Sequence, residues 1–148
     1  ETNGVEYYFT TPEVLQRFSE EGKMIELRTY ETVSGPWSYA TVDDGQVDLE
    51  NEDYLAIGTL ISYENMRNYY GKDYVIPLYI SVDDGLRLER ALKRERQQKK
   101  PNYAELCRRF LADEADFSRE NLQRLGIEKA YENEDFEECA AQLEKTIL

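Results

Sequence analysis

Residues 54–61, YLAIGTLI, and residues 75–82, VIPLYISV, are the two stretches that decide the predicted fold. Both are nearly continuous apolar runs, which is typical of strands that are buried on both faces of a parallel sheet. Between them, Ser62 is placed to cap a helix that ends at Gly71. A strand, a helix and a second strand in this order predict a crossover unit, so we expect an α/β fold with a parallel core.

The sequence before residue 50 has the pattern of a small, mixed β lobe. Its predicted elements are a strand at 5–9, a helix that begins at Pro12 and ends before Gly22, a strand at 24–30 and a strand at 37–42. In the strand at 24–30, alternation puts Glu26 and Arg28 on the face opposite Ile25 and Leu27. The face that carries Glu26 and Arg28 is therefore a candidate ligand surface.

The sequence after residue 82 is mostly helical in its pattern. Its predicted elements are a basic helix capped by Asp83 or Asp84 and limited by Pro101, a helix at 102–117, a strand at 127–132 and a closing helix at 136–147. The side chains that the last two helices are expected to bury are Leu106, Cys107, Phe110, Leu111, Phe136, Cys139, Ala140, Leu143 and Ile147. We divide the chain into a lobe at residues 1–50 and a core segment at residues 51–148.

Composition excludes several classes of function. The 148 residues include 31 acidic and 18 basic side chains, and the net charge of -13 argues against a broad surface for nucleic acids or anionic membranes. There is no histidine, so histidine-based catalysis and most zinc sites are excluded. We expect Cys107 and Cys139 to be reduced and buried. No apolar run approaches the length of a membrane span and no signal peptide is visible, so we predict a cytoplasmic protein.

A basic stretch at residues 87–109 stands out in this acidic chain. On a helix, Arg87, Arg90 and Arg94 share one face because they are three and four residues apart. One interpretation is a solvated, charged helix surface. The other is a set of guanidinium groups that bind a small polyanion such as a nucleotide polyphosphate, because planar bidentate donors suit phosphate oxygens.

Five motifs together resemble the guanylate kinase family. In chain order they are Glu1-x-x-Gly4-x-x-Tyr7-x-Phe9, Ile25-Glu26, Tyr39-Ala40-Thr41, Arg90-x-x-x-Arg94 with the later Arg109, and Asn133-Glu134-Asp135. Their order and spacing are similar to those of the family across nearly the whole chain. The resemblance implies a P-loop-kinase-like parallel sheet with helices on both faces, here without its first strand. It also implies a small mixed β lobe that binds a nucleoside monophosphate, and a lid near residues 86–109.

The resemblance implies a role for each matching residue. Those that would bind the acceptor GMP are Glu1, Tyr7, Glu26, Tyr39 and Thr41. The hydroxyls of Tyr7 and Tyr39 would donate to the monophosphate, while Glu26 would accept from N1 and the 2-amino group of guanine. Thr41 would replace the serine that recognises O6. A carboxylate facing two donors suits guanine and rejects adenine, which presents no such pair.

The resemblance also assigns residues to the phosphoryl donor. Arg90, Arg94 and Arg109 would be catalytic, because they would stabilise charge on the phosphoryl group during transfer. Asn133 would lie beside the adenine of ATP. The chain has no G-x-x-x-x-G-K-S/T motif, which holds the donor phosphates in the family. ATP and Mg²⁺ are therefore expected for a full-length parent protein, and no cofactor is expected to be held by this chain alone.

Departures from the family leave two classes of function open. Gly58 and Thr59 stand where the family usually carries an aspartate, Ala40 stands where it usually has glycine, and Ser34–Trp37 contains extra residues. The first class is an inactive fragment of a guanylate kinase-like enzyme whose first strand and P-loop precede Glu1. The second is a non-catalytic guanylate-kinase-like binding module. Because the loss of a first strand leaves sheet edges unpaired, a homodimer that covers them is a further hypothesis.

Overall fold

The computed structural model describes residues 2–5, 7–32 and 35–148, and within these ranges the chain has a mixed α/β fold. Glu1, Glu6, Val33 and Ser34 lie outside the described residues. The chain forms two compact units, Glu1–Val75 and Ile76–Leu148. Each unit contains a two-stranded sheet, antiparallel in the first and parallel in the second. The proposed functional division at residue 50 stays a prediction.

The first unit is built around a β-hairpin. Its elements are α1 (Pro12–Glu20), β1 (Met24–Thr32), β2 (Gly35–Val42) and α2 (Leu60–Tyr70). The two strands are antiparallel, with Glu26 opposite Thr41 and Arg28 opposite Tyr39. Because alternate residues of a strand share a face, this register brings Glu26 and Arg28 of β1 to the same side as Tyr39 and Thr41 of β2.

The sequence predicted the start of α1 correctly, and the local chemistry explains both ends of the helix. Pro12 occupies the first turn, where its missing N–H costs nothing. At the other end, the N–H of Gly22 donates to Ser19 and the N–H of Lys23 donates to Phe18. Gly22 has a φ of 69°, a left-handed conformation that glycine adopts without strain. The chain then enters β1 at once.

The predicted strand at residues 54–61 is wrong. Residues 52–59 have no regular secondary structure, and Leu60 begins α2. The helix cap is Thr59 and not Ser62, because the Thr59 hydroxyl accepts a hydrogen bond from the Ser62 N–H. An apolar run alone does not distinguish a strand from a loop that leads into a helix.

The predicted strand at residues 5–9 is also wrong within the described residues. The N–H of Gly4 donates to Tyr7 at 2.7 Å, and an isolated bridge joins Asn3 to Tyr7. The Asn3 side chain accepts from the N–H of Phe9. These local hydrogen bonds satisfy the backbone in a turn, and they compete with the extended strand that the aromatic pattern predicted.

The second unit pairs two short parallel strands through helical connections. Its elements are β3 (Tyr79–Ser81), α3 (Asp84–Arg96), α4 (Tyr103–Asp116), α5 (Arg119–Arg124), β4 (Ala130–Glu132) and α6 (Phe136–Ile147). Tyr79 lies opposite Ala130 in the parallel register. Both strands are shorter than predicted, and for β3 the reason is Pro77, which cannot donate to a strand ladder. The sequence did not predict α5.

Burial in the second unit is more restricted than the helix patterns predicted. Leu125, Ile127, Tyr131 and Cys139 are buried, so the expectation for Cys139 is confirmed. The predicted burial of Cys107, Leu111, Phe136 and Ile147 is wrong, because all four are exposed. The polar face of α3 meets α4 instead: the Arg87 guanidinium lies 4.1 Å from the centre of the Phe110 ring and forms an ion pair with Glu114. These contacts leave part of the apolar stripe of α4 in solvent. Within the described residues, no helix combines the length and apolar character needed to cross a membrane.

Candidate acceptor cleft and basic helix

The first unit contains an open cleft of about 470 Å³ against the hairpin. Its volume lies within the range of small-molecule sites. The residues that line it are Tyr7, Glu26, Arg28, Tyr30, Tyr39, Ala40, Thr41 and Ile57. Four residues that the sequence assigned to one ligand, Tyr7, Glu26, Tyr39 and Thr41, therefore lie around one space. Glu1, the fifth, lies outside the described residues.

Glu26 is the most enclosed charged group of the cleft. Its side chain is 9% exposed, and both carboxylate oxygens accept hydrogen bonds. Oε1 accepts from Arg28 Nε at 2.5 Å, and Oε2 accepts from the Ser62 hydroxyl at 3.0 Å. Charge-assisted bonds of this kind compensate the cost of removing a carboxylate from water. The carboxylate therefore has a defined orientation in the cleft.

Arg28 connects the hairpin to the beginning of α2. Besides its bond to Glu26, its Nη2 donates to the Ser62 hydroxyl at 2.6 Å and to the Thr59 hydroxyl at 3.0 Å. Its hydrogen bond to Glu26 raises the pKa of the Arg28 guanidinium above its usual value, while burial acts in the opposite direction. Arg28 is the basic member of the residues that line the cleft, and it stays charged at all physiological pH values.

Three tyrosines, Tyr7, Tyr30 and Tyr39, also line the cleft. The rings of Tyr7 and Tyr39 are tilted with their centres 5.1 Å apart, and the rings of Tyr30 and Tyr39 meet edge to face at 6.1 Å. Tyrosine rings that support one another in this way lose little further freedom when a ligand binds. Tyrosine hydroxyls can donate to an anionic group, so the cleft contains possible donors as well as the acceptors of Glu26.

The arginines predicted for the lid have separate contacts in the second unit. Arg90 donates from Nη1 to the carbonyl of Asn133 and from Nη2 to the carbonyl of Glu134, both at 2.7 Å. The structure thus brings Arg90 and Asn133 together at the connection from β4 to α6. Arg94, one turn later on α3, has an exposed side chain. Arg109 extends from α4 to a different group, the carboxylate of Glu105.

Glu105 forms ion pairs with two arginines of α4. It accepts hydrogen bonds from both Arg108 and Arg109, and these bonds lower the pKa of its carboxyl to about 2. The side chain of Arg109 is 72% exposed, so the pair is screened by solvent. In this arrangement, Arg109 is a surface residue that forms an ion pair within its own helix.

The side chain of Asn133, which the resemblance places beside the adenine of ATP, has an unsatisfied hydrogen-bond acceptor. Its N–H donates to Ser81 at 2.8 Å and its carbonyl accepts from Arg90, but its buried Oδ1 has no hydrogen-bond partner in the described part of the chain. A buried acceptor without a partner is costly. The role that the resemblance implies for Asn133 stays a prediction.

The described residues do not offer the remaining parts of a site for ATP and Mg²⁺. Over residues 2–5, 7–32 and 35–148, no group of three or more Cys, Asp or Glu side chains is arranged to hold a metal ion. A glycine-rich loop that could surround phosphates is absent from the sequence. The binding of ATP and Mg²⁺ stays a prediction.

Sequence reasoning missed three contributors to the cleft region. Tyr30 and Ile57 line the cleft, and the Ser62 hydroxyl holds Glu26 from the first turn of α2. Tyr30 follows the same alternation as Glu26 and Arg28, so the pattern could have predicted that it shares their face. The contacts of Thr59 and Ser62 could not be predicted from the pattern, because they join residues more than 30 positions apart in the chain.

Comparisons with protein-family models, with curated protein sequences and with solved structures found no match for this chain.

Proposed function

We propose that this chain is part of a guanylate kinase-like nucleoside-monophosphate kinase and that its first unit binds the acceptor GMP. The observation that carries the proposal is the cleft, around which Tyr7, Glu26, Tyr39 and Thr41 lie together. These residues come from three separate segments of the chain, and the resemblance assigns all of them to one ligand. Their convergence supports the proposed acceptor site.

In the proposed complex, Glu26 accepts hydrogen bonds from N1 and the 2-amino group of guanine. A carboxylate has about four acceptor positions, and Arg28 and Ser62 occupy one on each oxygen. Thr41 lies directly opposite Glu26 in the hairpin and contacts O6 of the base. The hydroxyls of Tyr7 and Tyr39 hold the monophosphate. Adenine is disfavoured because it presents no pair of donors to the acceptor positions of Glu26 that Arg28 and Ser62 leave unoccupied.

For the parent protein, we propose transfer of the γ-phosphoryl group of ATP to GMP. Arg90, Arg94 and Arg109 are the arginines proposed to act on the phosphates, and Asn133 is proposed to bind the adenine of ATP. The hydrogen bond from Arg90 Nη1 to the carbonyl of Asn133 brings two of these residues together and supports their assignment to one site. The P-loop-kinase-like sheet also belongs to the proposal, and the parallel pairing of β3 with β4 is compatible with it. Without a P-loop motif, the 148 residues alone are proposed to bind GMP and not to catalyse transfer.

Calorimetry with GMP, AMP and dTMP tests the acceptor site. We expect GMP to bind at least tenfold more tightly than AMP, because a hydrogen bond to a charged group contributes about 1.5–3 kcal/mol. Glu26→Gln replaces an acceptor by a donor and is expected to abolish this preference. Glu50→Gln, which changes an exposed carboxylate of the same unit, is the matched control. Equal binding of GMP and AMP by the unaltered chain contradicts the proposal.

The second candidate is a guanylate-kinase-like module that binds a partner without catalysis. The observation that favours it is the engagement of Arg90 and Arg109 by groups of the protein itself, two carbonyls and Glu105. Arginines with structural contacts are not evidence for phosphoryl transfer. Absence of GMP binding in the same calorimetric experiment, with the fold intact by circular dichroism, favours this candidate over the kinase.

A further inference from the structure

We infer that Arg28 is a positioning residue that determines the selectivity of the cleft, because it holds Glu26 in the orientation that recognises guanine. The inference rests on the proposed function and adds a residue to it. The observation behind it is a closed set of hydrogen bonds among Glu26, Arg28 and Ser62, which Thr59 extends.

Each member of this set restrains another one. Arg28 Nε holds one oxygen of Glu26, and the Ser62 hydroxyl holds the other oxygen. Arg28 Nη2 in turn donates to the same Ser62 hydroxyl at 2.6 Å. A carboxylate that is bound at both oxygens cannot rotate without breaking at least one charge-assisted bond. The plane of the Glu26 carboxylate is therefore set before any ligand enters.

The remaining acceptor capacity of Glu26 matches the donor edge of guanine. One acceptor position is left on each oxygen after Arg28 and Ser62 have bound. Guanine presents two adjacent donors, N1–H and the 2-amino group, and these require both oxygens in one plane. The positive charge of Arg28 also keeps the carboxylate from being a buried, uncompensated anion in the absence of ligand. Arg28 thus fixes both the direction and the charge balance of the acceptor pair.

The loop before α2 is shaped to permit this arrangement. A Cβ atom on Gly58 would lie 2.9 Å from the Cβ atom of Ser62, which is closer than side-chain carbons approach. Only glycine lets the backbone at position 58 pass so near to Ser62. The same loop supplies Thr59, whose hydroxyl receives Arg28 Nη2 at 3.0 Å and also caps α2. The orientation of Glu26 is therefore coupled to this loop through Arg28.

Calorimetry with GMP and AMP on Arg28→Met and Arg28→Lys tests the inference. Methionine keeps an unbranched, flexible stem and removes all the donors, so we expect the Kd for GMP to rise by about tenfold or more. The Kd for AMP, which does not use the Glu26 acceptor pair, is expected to change by less than about threefold. Lysine restores one charged donor and is expected to recover part of the preference for GMP. Arg17→Met makes the same change of charge at an exposed arginine of the same unit and serves as control.

Gly58→Ala disturbs the same arrangement without removing a charged group. It displaces Ser62, so we expect GMP affinity to fall while AMP affinity is retained. In the unliganded chain, the NMR signal of the Arg28 Nε–H is expected to be protected from exchange with water and to lose this protection in Glu26→Gln.

The outcomes separate the inference from the proposed function. If the unaltered chain prefers GMP and Arg28→Met keeps the same ratio of GMP to AMP affinity, the inference is overturned and the proposed function stands. If the unaltered chain shows no preference for GMP, both are overturned. An unprotected Arg28 Nε–H in the unliganded chain also overturns the inference, whether or not a nucleotide binds.

Discussion

Replacing Arg90 by methionine tests whether this residue has a structural role in addition to its predicted role at the phosphates. The guanidinium of Arg90 donates two hydrogen bonds of 2.7 Å, to the carbonyls of Asn133 and Glu134. A hydrogen bond from a charged donor contributes about 1.5–3 kcal/mol when it is shielded from water. The bond to Asn133 is partly buried and the bond to Glu134 is exposed, so the second contributes less.

We expect Arg90→Met to lower the free energy of unfolding by about 2 kcal/mol, which corresponds to a fall in Tm of about 4–8 °C for a chain of this length. Arg94→Met is a matched control, since Arg94 lies one turn later on α3 and is exposed. It is expected to change the stability by less than about 0.5 kcal/mol. Chemical denaturation followed by circular dichroism measures both. Equal stabilities of the two variants would falsify the structural role of Arg90.

Three further predictions follow from burial and charge in the second unit. Leu125→Ala is expected to destabilise the chain by about 3 kcal/mol, because Leu125 is fully buried. Leu111→Ala, at an exposed position, is the control and is expected to cost less than about 0.5 kcal/mol. Urea denaturation measures both free energies of unfolding, and similar costs would contradict the described core. The pKa of Glu105 is lowered to about 2, so the stabilisation from its contacts with Arg108 and Arg109 is present above the ordinary carboxyl pKa of 4.5 and is lost as the pH falls through 2. A carbon-13 NMR titration should place the Glu105 midpoint near pH 2 and show it raised in Arg108→Ala; a midpoint that does not move in this variant counts against the pair. A thiol reagent is expected to label Cys107 rapidly and Cys139 only after unfolding, because Cys107 is exposed and Cys139 is buried. Rapid labelling of the folded chain that persists in Cys107→Ser would refute the burial of Cys139.

Parts of the cleft were predictable because they depend on local alternation. A strand puts every second side chain on one face, so the pattern at residues 24–30 indicated that Glu26 and Arg28 point to the same side. The hairpin register then brings Thr41 opposite Glu26, and Tyr39 opposite Arg28. What the pattern could not indicate is the contact of Arg28 with Thr59 and Ser62, since it requires the loop before α2 to fold back onto the hairpin.

The apolar segment at residues 54–61 illustrates a limit of sequence patterns. Its composition suits a buried strand, but Ile57 is fully exposed and Leu60 begins a helix. A strand needs a neighbour that supplies hydrogen bonds, and composition does not tell whether one is present. The hydroxyl of Thr59 provides a local alternative, because it satisfies a backbone N–H at the start of α2.

The sequence by itself determined the local elements of this protein. Proline and glycine limits, side-chain caps and alternation were sufficient for α1, the two strands of the hairpin and the helices α3, α4 and α6, because each depends on residues close together in the chain. The tertiary structure alone decided which apolar side chains are buried and which charged groups meet. It placed Cys139 in the core and Cys107 in solvent, and it connected Arg28 to Ser62 and Arg90 to Asn133. Burial and ion pairing depend on which elements pack together, and packing is a property of contacts distant in the chain.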